Sequence, residues 1–423
     1  MRNTEVARPV DLDWPHLQNA PTSRTLAALA RIVFTGSVRR LPLAVTMPDG
    51  TRFGAGAGSA VPTLRINDPA TFFSRLGRDG ALGFGESYLL GAWDVGDARA
   101  SAAAASDELV AWLTTYAKFL KSKESGLWYR TRPLLRRALP VSERNSEGGA
   151  RRNVAAHYDL DPQLFELFLD PSMTYSSACF GPGDDLQAAQ SRKLDHILDL
   201  AEVGDGTRVL DIGSGFGALA VRAARERGAR VTGITLSEKQ LGYARAKVRE
   251  LALEDRVDFV LEDYRHHRGT YDSVVSVEMI EAVGHHYWRD YFTAVDGLLK
   301  PGGLFALQVI VFPHQKMLAA RDDFSWVDRY IFPGGTLPSL REIDRILNAH
   351  TSLRTVQSRR LSDSYARTLR AWRHRFLDAA ATVRDIGFDE TFIRLWTLYL
   401  GYFEAGFRAG YCDVWQLGIQ KSS

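Results

Sequence analysis

The chain has 423 residues, 45% of them hydrophobic, and 53 lysines and arginines stand against 50 aspartates and glutamates. That length supplies more than one core, while so even a charge balance argues against a protein that coats nucleic acid. Two cysteines are too few for a disulfide framework or a thiolate zinc site, and no run reaches the ~18 consecutive apolar residues of a membrane span.

Met1-Arg-Asn-Thr-Glu-Val-Ala-Arg-Pro9 carries no apolar signal segment, so the expectation is a cytoplasmic protein. Leu43–Phe53 reads as a hairpin around Pro48-Asp-Gly50, Leu64–Ile66 as a further strand and Pro69–Leu76 as a helix. These predict a smaller α+β domain over 1–137. Near its end, Lys118, Lys121, Lys123, Arg130, Arg132, Arg136 and Arg137 are interleaved with Trp112, Phe119, Leu127, Trp128, Leu134 and Leu135. That mixture suits an anionic membrane surface, and it equally suits a solvated helix face packed on a neighbour. The polar stretch 138–152, rich in Gly, Ser and Arg, reads as a linker to a second domain over 153–423.

The second domain has a different pattern. Val209–Ile212 is an apolar strand that runs into glycines 213, 215 and 217 and then into the helical Ala218–Arg227. Such a turn lets the main chain approach a ligand closely. Arg230–Thr235 follows as a strand, and Ser237 with Gln240 three residues on has the spacing of a helix cap. Val257–Leu261 ends in Glu262-Asp263-Tyr264, Tyr271–Val277 ends in Glu278-Met-Ile-Glu281, Gly303–Val311 follows a helix end broken at Pro301, and Asp413–Gln420 reads as the last strand. Strands alternating with helices predict a parallel α/β sheet whose ligands bind at the carboxyl ends of the strands. His285 and His286 are adjacent and so fall on different helix faces; they, like His266 and His267, are read as structural, and no metal site is predicted. The aromatics of 324–330 and Trp372, Phe376, Trp396, Leu398, Tyr399, Tyr402 and Phe403 recur at helical spacing, as core or as the lining of an acyl pocket.

Asp211 followed by Gly-x-Gly-x-Gly resembles motif I of the S-adenosylmethionine-dependent methyltransferases. Ala156-His-Tyr-Asp159, Tyr175-Ser-Ser-Ala178, Thr235-Leu-Ser-Glu-Lys-Gln240, Ser276–Gly284, Tyr330-Ile-Phe-Pro-Gly-Gly335 and Asp413-Val-Trp-Gln416 extend the likeness. In that order they resemble the cyclopropane-fatty-acid synthases and the mycolic-acid cyclopropane synthases and methyltransferases over 151–423. The resemblance implies a class I, Rossmann-like parallel sheet with a C-terminal antiparallel strand and helical insertions. It places Tyr158, Tyr175 and Ser176 at the methionine and sulfonium end of the cofactor, Gly213 and Gly215 at its amino acid part beside Asp211, Thr235 and Gln240 at the ribose, and Asp263 and Tyr264 at the adenine. An aromatic face such as Tyr158 attracts a cationic sulfonium.

The chemistry implied is attack by a lipid double bond on the activated methyl group, leaving a carbocation that must lose a proton. The family holds a bicarbonate as base. Its Glu and Tyr fall on Glu281 and Tyr365, whereas its Cys and His positions are Ser177 and Gln308 here; Glu278 competes with Glu281. Ser177 offers an N–H and a hydroxyl, and Gln308 an amide, but neither replaces a titratable imidazole. Prompt deprotonation closes a cyclopropane, and a delayed one permits a hydride shift and an exocyclic methylene. The substitutions and the N-terminal extension resemble the actinobacterial branch that makes 10-methylene-stearoyl chains, with cyclopropane formation and small-molecule methylation as alternatives. The segment Gly83–Trp93 resembles one in phospholipid-modifying members. The implied partners are unsaturated phospholipid acyl chains at the inner membrane face and a downstream reductase, with no nucleic acid; a homodimer stays open.

Overall fold

The computed structural model describes residues 14–18, 23–56, 61–97, 99–122, 160–361 and 363–423. Tyr158, the linker 138–152 and the basic residues beyond Ser122 lie outside the described residues. The chain forms two units, one of 1–137 with 324–327 and 369–409, the other of 138–323, 328–368 and 410–423.

In the first unit, β1 (Ala44–Thr46) and β2 (Arg52–Phe53) make the expected hairpin, with Gly50 at φ +82°. β1 pairs in parallel with β3 (Thr63–Ile66), which pairs antiparallel with β4 (Trp93–Val95). The helix Pro69–Asp79 starts where Asp68 accepts from the N–H groups of Ala70 and Thr71. Segment 369–409 joins this unit instead of continuing the second, which departs from a continuous domain over 153–423. The cause lies in helix Glu390–Arg408, which buries residues on every side and therefore needs partners all round. It packs on Ala102–Ser122 and Ala81–Leu89.

That packing decides the fate of the aromatic stripe. Phe388, Phe392 and Trp396 stack with centroids 4.2 and 4.9 Å apart, and Trp372, Phe376 and Tyr399 are buried with them. Tyr402, half exposed, lies edge-on to Trp326. Apart from Tyr402, these side chains form core. Trp112 is also fully buried, between Phe34 and Tyr116, which removes it from the expected membrane-facing set. Lys118 and Lys121 remain exposed on the same helix.

Among the described residues of the second unit, seven strands form one sheet in the order β10-β11-β9-β8-β5-β6-β7. They are β5 (Arg208–Ile212), β6 (Arg230–Thr235), β7 (Val257–Leu261), β8 (Tyr271–Val277), β9 (Leu299–Val311), β10 (Leu353–Arg360) and β11 (Asp413–Lys421). β5 to β9 are parallel; β11 enters antiparallel between β9 and β10. β9 begins earlier than Gly303, because its first residue pairs with Tyr271 across an irregularity in β8. β10 has no apolar alternation, being exposed along nearly its whole length, and so gives no sequence signal. One sheet face is covered by the helices Leu186–Leu200, Ala218–Arg227 and Glu238–Glu250, and the other by an apolar cluster around Tyr291, Phe292, Phe305 and Ile343. The strand order reverses at β5, which opens a crevice at its carboxyl end.

The core of the first unit buries the cations of Arg75 and Arg373. Arg373 donates to Glu404 Oε2 at 2.8 Å, to Asp107 Oδ1 at 2.7 Å and to Ser106 Oγ. Removing one member of such a group strands the others' charge. Arg373→Met is expected to lower stability by about 3–5 kcal/mol, measured as a shift in the urea midpoint at unchanged slope.

Candidate active site

The crevice beyond β5, β6 and β8 gathers Tyr175, Ser176, Asp211, Gly213, Gly215, Thr235, Gln240, Asp263 and Tyr264 into the lining of one cavity. Gly213 is required twice over: its φ is +81°, and a Cβ there would stand 2.7 Å from Met279 Cγ. Ser237 caps the next helix by accepting from the Gln240 N–H at 3.2 Å. The Gln240 side chain, however, turns to Thr235, whose hydroxyl donates to Oε1 at 3.0 Å. Asp263 grips Arg265 through both oxygens, at 2.9 and 2.5 Å. Burial pushes its carboxyl up, but these hydrogen bonds outweigh it and hold Asp263 below the ordinary value. Tyr175 stands edge-on to Phe165 at 5.2 Å, and Phe165 meets Phe216 at 5.4 Å, giving one end of the cavity an aromatic wall.

Ser176 is buried and accepts from Lys193 Nζ at 2.6 Å. Lys193 is a residue that motif reading misses. It falls at the 186, 189, 190, 193, 194, 197 spacing of the buried helix face, so a lysine at an apolar position is the signal that marks it. Burial pushes its ammonium down to about 8 against the pull of Glu278, Asp170 and Asp211. Burial likewise pushes Asp211 up to about 7, with Lys193 opposing.

Beside the cavity, Ser177, Gln308 and Tyr365 converge on one carboxylate, and it is that of Glu278, not Glu281. Oε1 of Glu278 accepts from the Ser177 N–H at 2.9 Å and from the Gln308 amide at 2.7 Å, and Oε2 accepts from the Tyr365 hydroxyl at 2.8 Å. Ser177 contributes only its backbone, since its hydroxyl donates to the Ala178 carbonyl. Gln308 also donates to the Ser177 carbonyl, and its own oxygen accepts from Gln416 at 2.9 Å, so every polar group of that amide is engaged. Glu281 faces elsewhere: one oxygen accepts from the Ile310 N–H at 2.5 Å, and the other is buried without a partner. Burial, with the neighbouring Glu278 charge, pushes Glu281 up to about 8. Burial raises Glu278 too, but Gln308, Lys193, Ser177 and Tyr365 all favour its charged form. The donors that favour a charged carboxyl therefore gather on Glu278 and not on Glu281.

A profile for mycolic acid cyclopropane synthetase matches residues 145–417. The chain belongs to the mycolic acid cyclopropane synthetase family. It is 43% identical over 419 residues to tuberculostearic acid methyltransferase UfaA1 of Mycobacterium tuberculosis, across 96% of this chain and 95% of that protein. It is 35% identical to the cyclopropane-fatty-acyl-phospholipid synthase of Escherichia coli, across 86% of this chain and 89% of that one. The crystal structure of mycolic acid cyclopropane synthase CmaA1 complexed with SAH and CTAB aligns with a TM-score of 0.60 at 30% identity, over 64% of this chain and 98% of that chain. This protein is an S-adenosylmethionine-dependent methyltransferase.

The cavity fits that cofactor. Asp211 Oδ2 is buried with no hydrogen-bond partner, as a carboxylate awaiting an ammonium donor would be. A bicarbonate fits less well, because the donors assigned to it by family resemblance, Ser177, Gln308 and Tyr365, already hold Glu278. The two histidines correct one piece of spacing logic. His285 and His286 lie on a short 3₁₀ turn, not an α-helix, and their rings approach to 3.9 Å beside Asp322. His267 is structural, bridging Glu262 at 2.5 Å and Tyr271 at 2.8 Å.

The raised carboxyl of Glu281 has a signed consequence. A group whose folded pKa lies above its ordinary 4.5 stabilises the fold fully below that value and loses the contribution as pH climbs through about 8. Glu281→Gln keeps the acceptor for Ile310 without titrating. Thermal melts between about pH 6 and pH 9 should show a steeper fall in Tm for the native protein than for Glu281→Gln.

Proposed function

We propose that the enzyme transfers the methyl group of S-adenosylmethionine to the double bond of an oleoyl-type phospholipid acyl chain and yields a 10-methylene branch, the precursor of 10-methylstearic (tuberculostearic) acid. The observation that carries this reading is the 43% identity to a tuberculostearic acid methyltransferase along nearly the whole chain, first unit included. The likeness to a cyclopropane-fatty-acyl-phospholipid synthase supports the second reading, ring closure on the same substrate.

When bound, the cofactor supplies an electrophilic methyl on a sulfonium. Asp211 and the turn at Gly213 and Gly215 would hold its amino acid part, Thr235 and Gln240 the ribose hydroxyls, Asp263 and Tyr264 the adenine, and Tyr175 and Ser176, with Tyr158, the sulfonium end. An alkene is a weak nucleophile, so these groups contribute chiefly by alignment and by excluding water that would trap the cation.

For lipid access, the first unit offers a face unforeseen in the basic segment near residue 120. On helix Arg24–Val38, Leu26, Leu29, Ile32 and Val33 are exposed, Ile32 by 70%, with Arg24, Arg31, Arg39 and Arg40 exposed around them. An apolar stripe bordered by cations supports peripheral contact with an anionic bilayer. No described helix is long and apolar enough to cross a membrane.

The test is mass spectrometry of phospholipid fatty acids from a host fed oleate and methyl-labelled methionine and expressing this chain alone. A labelled exocyclic methylene at carbon 10 is expected. A labelled cyclopropane would move the assignment to the second reading, and lipid without label would overturn both.

A further inference from the structure

We propose that Glu278 is the general base of this reaction, a carboxylate of the chain itself standing where family resemblance places bicarbonate. The inference rests on the alkene methylation proposed above. Three observations carry it. Ser177, Gln308 and Tyr365, which are the positions matched to anion ligands, all point their donors at the Glu278 carboxylate, at 2.9, 2.7 and 2.8 Å. A carboxylate has about four lone-pair sites; these donors use two on Oε1 and one on Oε2, leaving one on Oε2 for a proton. Glu278 also lines the same cavity as Tyr175, Ser176 and Gly213, the pocket in which the methyl would be delivered.

The backbone adds an independent sign. Glu278 holds φ +53°, a left-handed conformation that glycine adopts freely and a side-chain residue adopts at a cost of about 1 kcal/mol or more. A glutamate kept there is explained by its carboxylate, not by the turn. Gln308 fits the same logic: a carboxylate of the chain itself needs an amide to position it, not an imidazole to share its proton, and Gln416 fixes which way that amide faces.

The step balances as follows. The alkene π pair forms the new bond to the methyl carbon, the C–S pair stays on sulfur, and the neighbouring alkene carbon is left cationic. Glu278 Oε2 takes one proton, and the C–H pair so released becomes the exocyclic double bond after a hydride shift, or the ring bond without one. The proton passes to solvent between turnovers.

The experiment pairs two readouts on the full chain: ¹³C-bicarbonate titration of the cofactor-free protein by NMR, and labelled-methyl turnover on oleoyl phospholipid vesicles in carbonate-depleted buffer. The native enzyme is expected to turn over without bicarbonate and to show no saturable bicarbonate site. Glu278→Gly, which suits the backbone and empties the carboxylate's place, should lose at least about 100-fold in turnover, gain saturable bicarbonate binding and recover turnover when bicarbonate is added. Glu278→Gln, which fills the same space, should stay inactive with or without it. Native turnover that requires bicarbonate, or full turnover by Glu278→Gly in its absence, would overturn the assignment. If the native enzyme methylates no lipid, the proposed function falls and the titration decides alone: a bicarbonate site opened by Glu278→Gly upholds the exchange of carboxylate for anion, and none refutes it.

Discussion

A carboxylate drawn away from water must be met by donors or surrender its charge, and the second unit is arranged around meeting that need at residue 278. The donors come from segments far apart in the chain: the loop at Ser177, the middle of β9 at Gln308 and the helix that starts at Ser364. Each is pinned in turn. Ala178 donates to Thr368 and Phe180 to Ser364, tying loop to helix, and Gln190 holds the carbonyl of Ser176. Lys193 adds a buried positive charge near the same point. Loop, strand and helix thus take their relative positions partly from one anion.

The same crowding separates two glutamates three residues apart. Four groups favour the charged form of Glu278, whereas Glu281 has only backbone N–H groups on its side and a like charge nearby. Unequal environments give two carboxyls unequal protonation, the usual route by which a site acquires one proton acceptor and one neutral neighbour. Asp211 and Lys193 form a second pair, with burial moving each toward neutrality from its own side.

Much of this was legible from local pattern. The strands of the parallel sheet and the turn at Gly213 depend on side-chain alternation and on glycine angles, which neighbouring residues encode. The other cofactor-side residues were implied by the family resemblance and not by that turn, and all that are described reach one cavity. What stayed hidden was set by distance in sequence. Nothing local shows that 369–409 joins the core of 1–137, or that Trp112 lies under Phe34 and not on the surface. The choice between Glu278 and Glu281 turned on a single left-handed residue at the end of β8, an angle for which glutamate gives no warning. His285 and His286 misled in the same way, because a helical rule was applied to a 3₁₀ turn.

The antiparallel entry of β11 between β9 and β10 has a temporal side. Its register sets Gln416 opposite Gln308, and that amide contact orients the group that holds Glu278. A ribosome makes the glycine turn and both glutamates well over a hundred residues before Gln416 emerges. A nascent chain can therefore shape the cofactor crevice before the strand that aligns its buried carboxylate has been made, so that competence for chemistry arrives with the completed sheet.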